Sequence, residues 1–118
     1  MTWFPCSGGS SGSTGHTYST TEQKIGTWID RSDLYEKTID TGSFSAQSGT
    51  GHTLATDASI SKLVEATGYI IESGVIYIIP EVSIRIKMDS SHNIIFYPES
   101  NWSVSSGAVT IRYTKISS

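Results

Sequence analysis

The string closest to known catalytic chemistry is Asp40-Thr41-Gly42-Ser43. In aspartic proteases such a string holds one of two carboxylates that share a proton and activate water, and a homodimer would bring two copies together. No second apolar-apolar-glycine support stands near the C-terminus, and a strand ending in Asp-Thr-Gly is equally an ordinary turn, the reading adopted here. His16, His52 and His92 are widely spaced and lack the patterns that bind zinc, so they are expected in loops or at the surface. Asp30, Asp33, Asp57 and Asp89 fall at the ends of strand candidates, where a carboxylate satisfies turn backbone, and none follows the EF-hand spacing. None of the 21 serines sits in a G-x-S-x-G elbow. The glycines between Ser7 and Gly15 form no phosphate loop, because no strand precedes them and no Lys-Ser/Thr follows. The expectation is a protein with no catalytic residue, metal or cofactor.

The aromatics remain: Trp28, Tyr35, Tyr69, Tyr77, Phe96, Tyr97, Trp102 and Tyr113. In strands such residues mostly serve the core or cross-strand pairs. Trp102 is the exception. It lies in Glu99-Ser-Asn-Trp-Ser, between Pro98 and the last strand candidate, where an exposed indole with Asn101 and Tyr97 is expected to stack on a sugar ring.

The elements that must position these residues are strands. The 118 residues include 21 Ser, 14 Thr and 11 Gly, with 15 Ile and 5 Val against 3 Leu. β-Branched side chains suit a pleated sheet and disfavour a helical bundle. Candidates run over Lys24–Asp30, Leu34–Asp40, Thr50–Thr56, Lys62–Glu72, Val75–Ile79, Val82–Met88, Ile94–Tyr97 and Ala108–Lys115. Arg31-Ser32-Asp33 links the first two as a hairpin. Period-two alternation places Val82, Ile84, Ile86 and Met88 on one face, and Val109, Ile111 and Tyr113 likewise. Eight short strands at intervals of about ten residues predict an all-β antiparallel sandwich or jelly-roll-like domain.

Ahead of it, Ser7–Gly15 has no apolar side chain and reads as a flexible tether that spans about 15–18 Å. Trp3, Phe4, Pro5 and Cys6 form an apolar knot in front of the tether, suited to plug into another protein. The expected division is an arm over residues 1–17 and a sandwich over residues 18–118. A net charge of −3 offers no field for nucleic acid. The absence of a long apolar run or a basic, apolar leader predicts neither membrane insertion nor Sec export. One cysteine closes no disulfide within the chain. Ile70-Ile71, Ile78-Ile79 and Ile94-Ile95 are apolar on both strand faces, which predicts cover from a neighbouring copy in a homo-oligomer.

The stretch Tyr18-Ser-Thr-Thr-Glu22-Gln-Lys-Ile25-Gly26-Thr27-Trp28-Ile29-Asp30, followed by Leu34-Tyr35-Glu36-Lys37-Thr38-Ile39, resembles the opening of a small β module of bacteriophage tail-fibre and related virion adhesion proteins. Val109-Thr-Ile-Arg-Tyr113-Thr-Lys115 is similar to its closing strand. The chain departs from the pattern at Asp30-Arg31-Ser32-Asp33, where such modules carry Asp-Gly-Lys-Pro-like residues. The resemblance implies a non-enzymatic virion protein, a tail-fibre tip or a capsid head-fibre or decoration subunit. It further implies a trimer that joins other virion proteins and touches host-surface glycan. The alternatives are a carbohydrate-binding module or a small glycan hydrolase.

Overall fold

The computed structural model describes residues 16–116. They form ten strands and, among the described residues, no helix: β1 (Gln23–Thr27), β2 (Asp33–Asp40), β3 (Phe44–Ala46), β4 (His52–Thr56), β5 (Ile60–Glu72), β6 (Val75–Ile79), β7 (Ile84–Met88), β8 (Asn93–Pro98), β9 (Trp102–Val104) and β10 (Ser106–Lys115). A five-stranded antiparallel sheet runs β1-β2-β10-β5-β6. Facing it, the three-stranded sheet β4-β8-β7 and the pair β3-β9 make the second layer of a sandwich. β10 returns from the second layer to lie between β2 and β5, a non-local insertion of the Greek-key kind.

Alternation in β10 divides the large sheet into two faces. Val109, Ile111 and Tyr113 point inward and are fully buried, whereas Ala108, Thr110 and Arg112 point to the outer face. Ile60, Ile70 and Ile79 complete the inward surface from β5 and β6. Ala46, Ile84, Ile94, Phe96, Trp102 and Val104 meet it from the second layer. Each such aliphatic side chain contributes about 1.5–3 kcal/mol through area removed from water.

Residues Ile60–Glu72 form one continuous strand, because Val64, Thr67, Tyr69, Ile70 and Ile71 are strand formers and β10 pairs with it from Lys115 to Ser106. Ser73 and Gly74 both carry positive φ, 51° and 79°, as a two-residue type I′ hairpin to β6 requires.

Several expected boundaries shift. The first strand stops at Thr27 rather than Asp30. Trp28 receives the Arg31 N–H at 2.9 Å and donates its own to Ser32 at 2.8 Å, closing a loop in which Arg31 takes φ 71°. Val82 does not share the buried face of Ile84. The Ile84 N–H bonds back to the Glu81 carbonyl, the strand begins only there, and Val82 is 87% exposed in the preceding turn. β3 and β9 were outside the expected set. They are three residues each, too short for their alternation to be recognised in the sequence, and they pair only with each other.

Gly68 sits in the middle of β5 with φ 145°, and a Cβ there would run into the Ala108 carbonyl of β10. Gly68→Ala is therefore expected to lower unfolding free energy by about 1–3 kcal/mol in urea titration, with an unchanged fold. A neutral effect would mean that β5 and β10 are not in this close register.

Candidate functional site

The outer face of the five-stranded sheet, turned away from the core, brings together side chains far apart in sequence. Cross-strand register sets Thr38 beside Thr110 and Thr110 beside Thr67. The hydroxyls of Thr38 and Thr110 lie 2.7 Å apart in a hydrogen bond. With Gly68 and Ala108 they floor a groove of about 310 Å³ whose remaining lining is Tyr18 and Tyr69. Both tyrosines are solvent-accessible, at 59% and 42%. Exposed rings over a hydroxyl floor offer what a pyranose needs, an apolar surface for its C–H face and donors and acceptors for its hydroxyls.

One end of this face is held by a buried carboxylate. Glu36, on the outward side of β2, is fully buried; its Oε2 accepts from Arg112 Nε at 2.9 Å, and its Oε1 lies 2.6 Å from His16 Nε2. Arg112 also reaches Glu65 at 3.3 Å, so β2, β10 and β5 share one ionic cluster. Ser19 accepts the Thr38 N–H at 2.8 Å, which runs the segment before β1 along β2 and brings Tyr18 to the groove. His16 meets Tyr18 edge to face at 4.7 Å.

A second clamp lies nearby. The Tyr113 hydroxyl donates to Glu22 at 2.6 Å, and Lys115 bonds the other carboxylate oxygen at 2.9 Å. Burial works against the charge of Glu22, but these two bonds outweigh it and hold its carboxyl below the ordinary range. Burial, then the hydrogen bond to Glu22, pushes the Tyr113 phenol well above its usual value.

The expected sugar platform is not assembled. Trp102 is 8% exposed rather than displayed, with its ring edge-on to Tyr77 at 4.7 Å and to Phe96 at 6.3 Å. The physical reason is β9: its alternation turns Trp102 and Val104 into the core and Ser103 outward. The indole N–H has no hydrogen-bond partner among the described residues. Tyr97 points away from the core between buried Phe96 and Pro98, and the Lys87 ammonium stands 3.9 Å from its ring centroid. Asn101 is exposed, and its Oδ1 accepts the Ser48 N–H at 3.0 Å, which ties a loop rather than presenting a ligand. Buried Trp102 therefore shares no exposed surface with Tyr97 and Asn101. Trp3, Phe4, Pro5 and Cys6 lie outside the described residues.

The other candidates read as turns and packing. The Asp40 carboxylate accepts the Gly42 N–H, with Gly42 at φ 62°. Asp30, Asp57 and Asp89 each accept backbone N–H groups two residues on. His52 stacks on Phe44, and His92 bonds the Ile60 carbonyl. Among the described residues no group of three or more His, Cys, Asp or Glu could hold a metal ion. The sequence reasoning missed Glu36, Arg112 and the threonine floor, because only register reveals which outward residues of β2, β10 and β5 become neighbours.

Two outcomes follow from this geometry. Trp102→Ala is expected to cost about 3–5 kcal/mol of unfolding free energy, as for a large core aromatic, whereas an exposed indole would lose no more than about 0.5 kcal/mol. Asp57 is held at about 2, below its ordinary 3.8, chiefly by the Ser59 hydroxyl and further by the Ser59 N–H and Lys37, although burial opposes the shift. Because its folded value is depressed, its contribution is complete above 3.8 and is lost as pH falls through about 2. The melting temperature should fall less steeply in Asp57→Asn than in the wild type across that window; identical pH profiles would contradict the assignment.

No family model, no curated protein and no solved structure matches this chain, so its function must be read from the geometry.

Proposed function

We propose that this protein is a non-enzymatic structural subunit on the surface of a bacteriophage virion, a tail-fibre tip or a capsid head-fibre or decoration subunit, and that it contacts host-surface glycan. The observation that carries the reading is the groove on the outer sheet face, with Tyr18 and Tyr69 exposed over Thr38, Thr67 and Thr110. This replaces Trp102 as the place where sugar would be met. The resemblance of the opening and closing segments to virion adhesion modules supplies the context, and the all-β sandwich with three threonines in register suits a surface that binds by shape and hydroxyl contact.

In this reading the first fifteen residues, with Trp3, Phe4, Pro5 and Cys6 at their head, attach the subunit to other virion proteins. Each aromatic plug would contribute about 1.5–3 kcal/mol from buried area, multiplied in effect by the copies present in a homo-oligomer. The resemblance implies three copies. Localisation on the assembled particle and the absence of nucleic-acid and membrane partners belong to the same proposal.

The experiment compares the full chain, Tyr18→Ala with Tyr69→Ala, and a chain lacking residues 1–15, measuring particle incorporation and binding to host cells or their isolated polysaccharide. Expected are a tyrosine variant that incorporates normally but loses at least tenfold in glycan binding, and a truncated chain that binds glycan but no longer incorporates. Each ring stacked on sugar carries on the order of 1 kcal/mol, which sets that scale. Unchanged glycan binding by the double variant refutes the groove, and normal incorporation of the truncated chain refutes the arm.

A further inference from the structure

The edges of the sheets are guarded, with one exception. β1 carries Lys24 and a bulge between Lys24 and Gly26. β4 is bulged between Thr53 and Ala55, and β7 carries Arg85 and Lys87. β3 and β9 are only three residues long. Shortness, bulges and charges of this kind are how sheets avoid pairing with another chain. β6 has none of them. Its sequence, Val75-Ile-Tyr-Ile-Ile79, is uncharged and unbulged, it ends the five-stranded sheet, and Val75, Ile76 and Ile78 are 50%, 63% and 70% exposed.

We infer that β6 is the contact between two copies of this chain, paired antiparallel about a two-fold axis at Tyr77. The occupant follows from the geometry of the edge. In a ladder closed by the two-residue Ser73-Gly74 turn, Glu72 and Val75 form the last hydrogen-bonded pair, so bonding alternates along β6. Ile76 and Ile78 then direct their backbone N–H and C=O groups to the open edge. An axis at Tyr77 sets Ile76 opposite Ile78 of the second copy, where each N–H meets a carbonyl, and the two β6 strands exchange four bonds. The same register gathers Ile76 and Ile78 of both copies on the outer face, flanked by Tyr69 and Ile71, their neighbours on β5. The edge is thus complementary to itself, as an isologous two-fold contact requires.

The contact is small, a five-residue strand and a few apolar side chains, in the class below about 1,200 Å² that dissociates on dilution. The inference goes beyond the virion reading and does not depend on it, yet it bears on the groove. A two-fold normal to the sheet keeps both outer faces on one side, so the two Tyr18–Tyr69 grooves of the pair would face the same surface and bind it bivalently.

The test is sedimentation equilibrium of the full chain from micromolar to millimolar concentration, alongside Ile78→Lys, with amide hydrogen exchange at both ends of the range. Expected is a rise from monomer to dimer mass in the wild type, with the Ile76 and Ile78 amides gaining protection as the dimer forms. Ile78→Lys should remain monomeric with an unchanged melting temperature; if it unfolds the domain, Ile76→Lys carries the same test. A wild type that stays monomeric, one that assembles as a trimer, or a folded lysine variant that dimerises like the wild type overturns the inference. None of these outcomes alters particle incorporation or glycan binding by a single copy, which test the virion reading separately.

Discussion

β10 is the constraint on which the molecule depends. It is hydrogen-bonded to β2 on one side and β5 on the other, and its alternation decides what each face of the large sheet becomes. Inward, Val109, Ile111 and Tyr113 are completely buried and define the floor on which the second layer rests. Outward, Thr110 and Arg112 organise the exposed face, one through the threonine row and the other through Glu36 and Glu65. A slip of one residue in its register would exchange the two sets and destroy core and outer face together.

That division explains the placement of charge. A carboxylate as buried as Glu36 is tolerated because two cationic or hydrogen-bonding groups meet it, and removal of either partner would strand the other in a poorly solvated site. The cluster ties β2, β10 and β5 at one end of the face and fixes the chain at His16, while Glu22 ties the same entering segment to Tyr113 and Lys115. The groove lies beyond this anchored end, and the apolar edge of β6 lies beyond the groove. Across one sheet face, polarity passes from ionic to hydroxyl-rich to aliphatic.

The strands that were legible in the sequence are those whose alternation is long enough to be read. Val109, Ile111 and Tyr113 identify β10, and Val75–Ile79 is bounded by the Ser73-Gly74 turn and Pro80. Of the three two-sided isoleucine pairs, only Ile78-Ile79 leaves one side chain largely exposed beside a buried one, whereas Ile71 and Ile95 are half-buried. Trp102 was misplaced because three residues carry no period, and its burial follows from pairing with Phe44–Ala46, more than fifty positions away. Val82 extended an apparent alternation into a turn for the same reason, since local pattern cannot show where backbone pairing begins. The groove was illegible because Tyr18, Thr38, Thr67, Tyr69 and Thr110 become neighbours only through the register of three strands.

In the proposed function the outer face of the large sheet, and not the region of Asn101 and Trp102, is the recognising surface. Amide and side-chain NMR shifts recorded while host polysaccharide is titrated into the isotope-labelled full chain test it most directly. Expected are perturbations centred on Tyr18, Thr38, Thr67, Tyr69 and Thr110, with Asn101 and Trp102 unmoved. Shifts centred on Asn101 and Trp102, or none anywhere on the outer face at saturating polysaccharide, would contradict it.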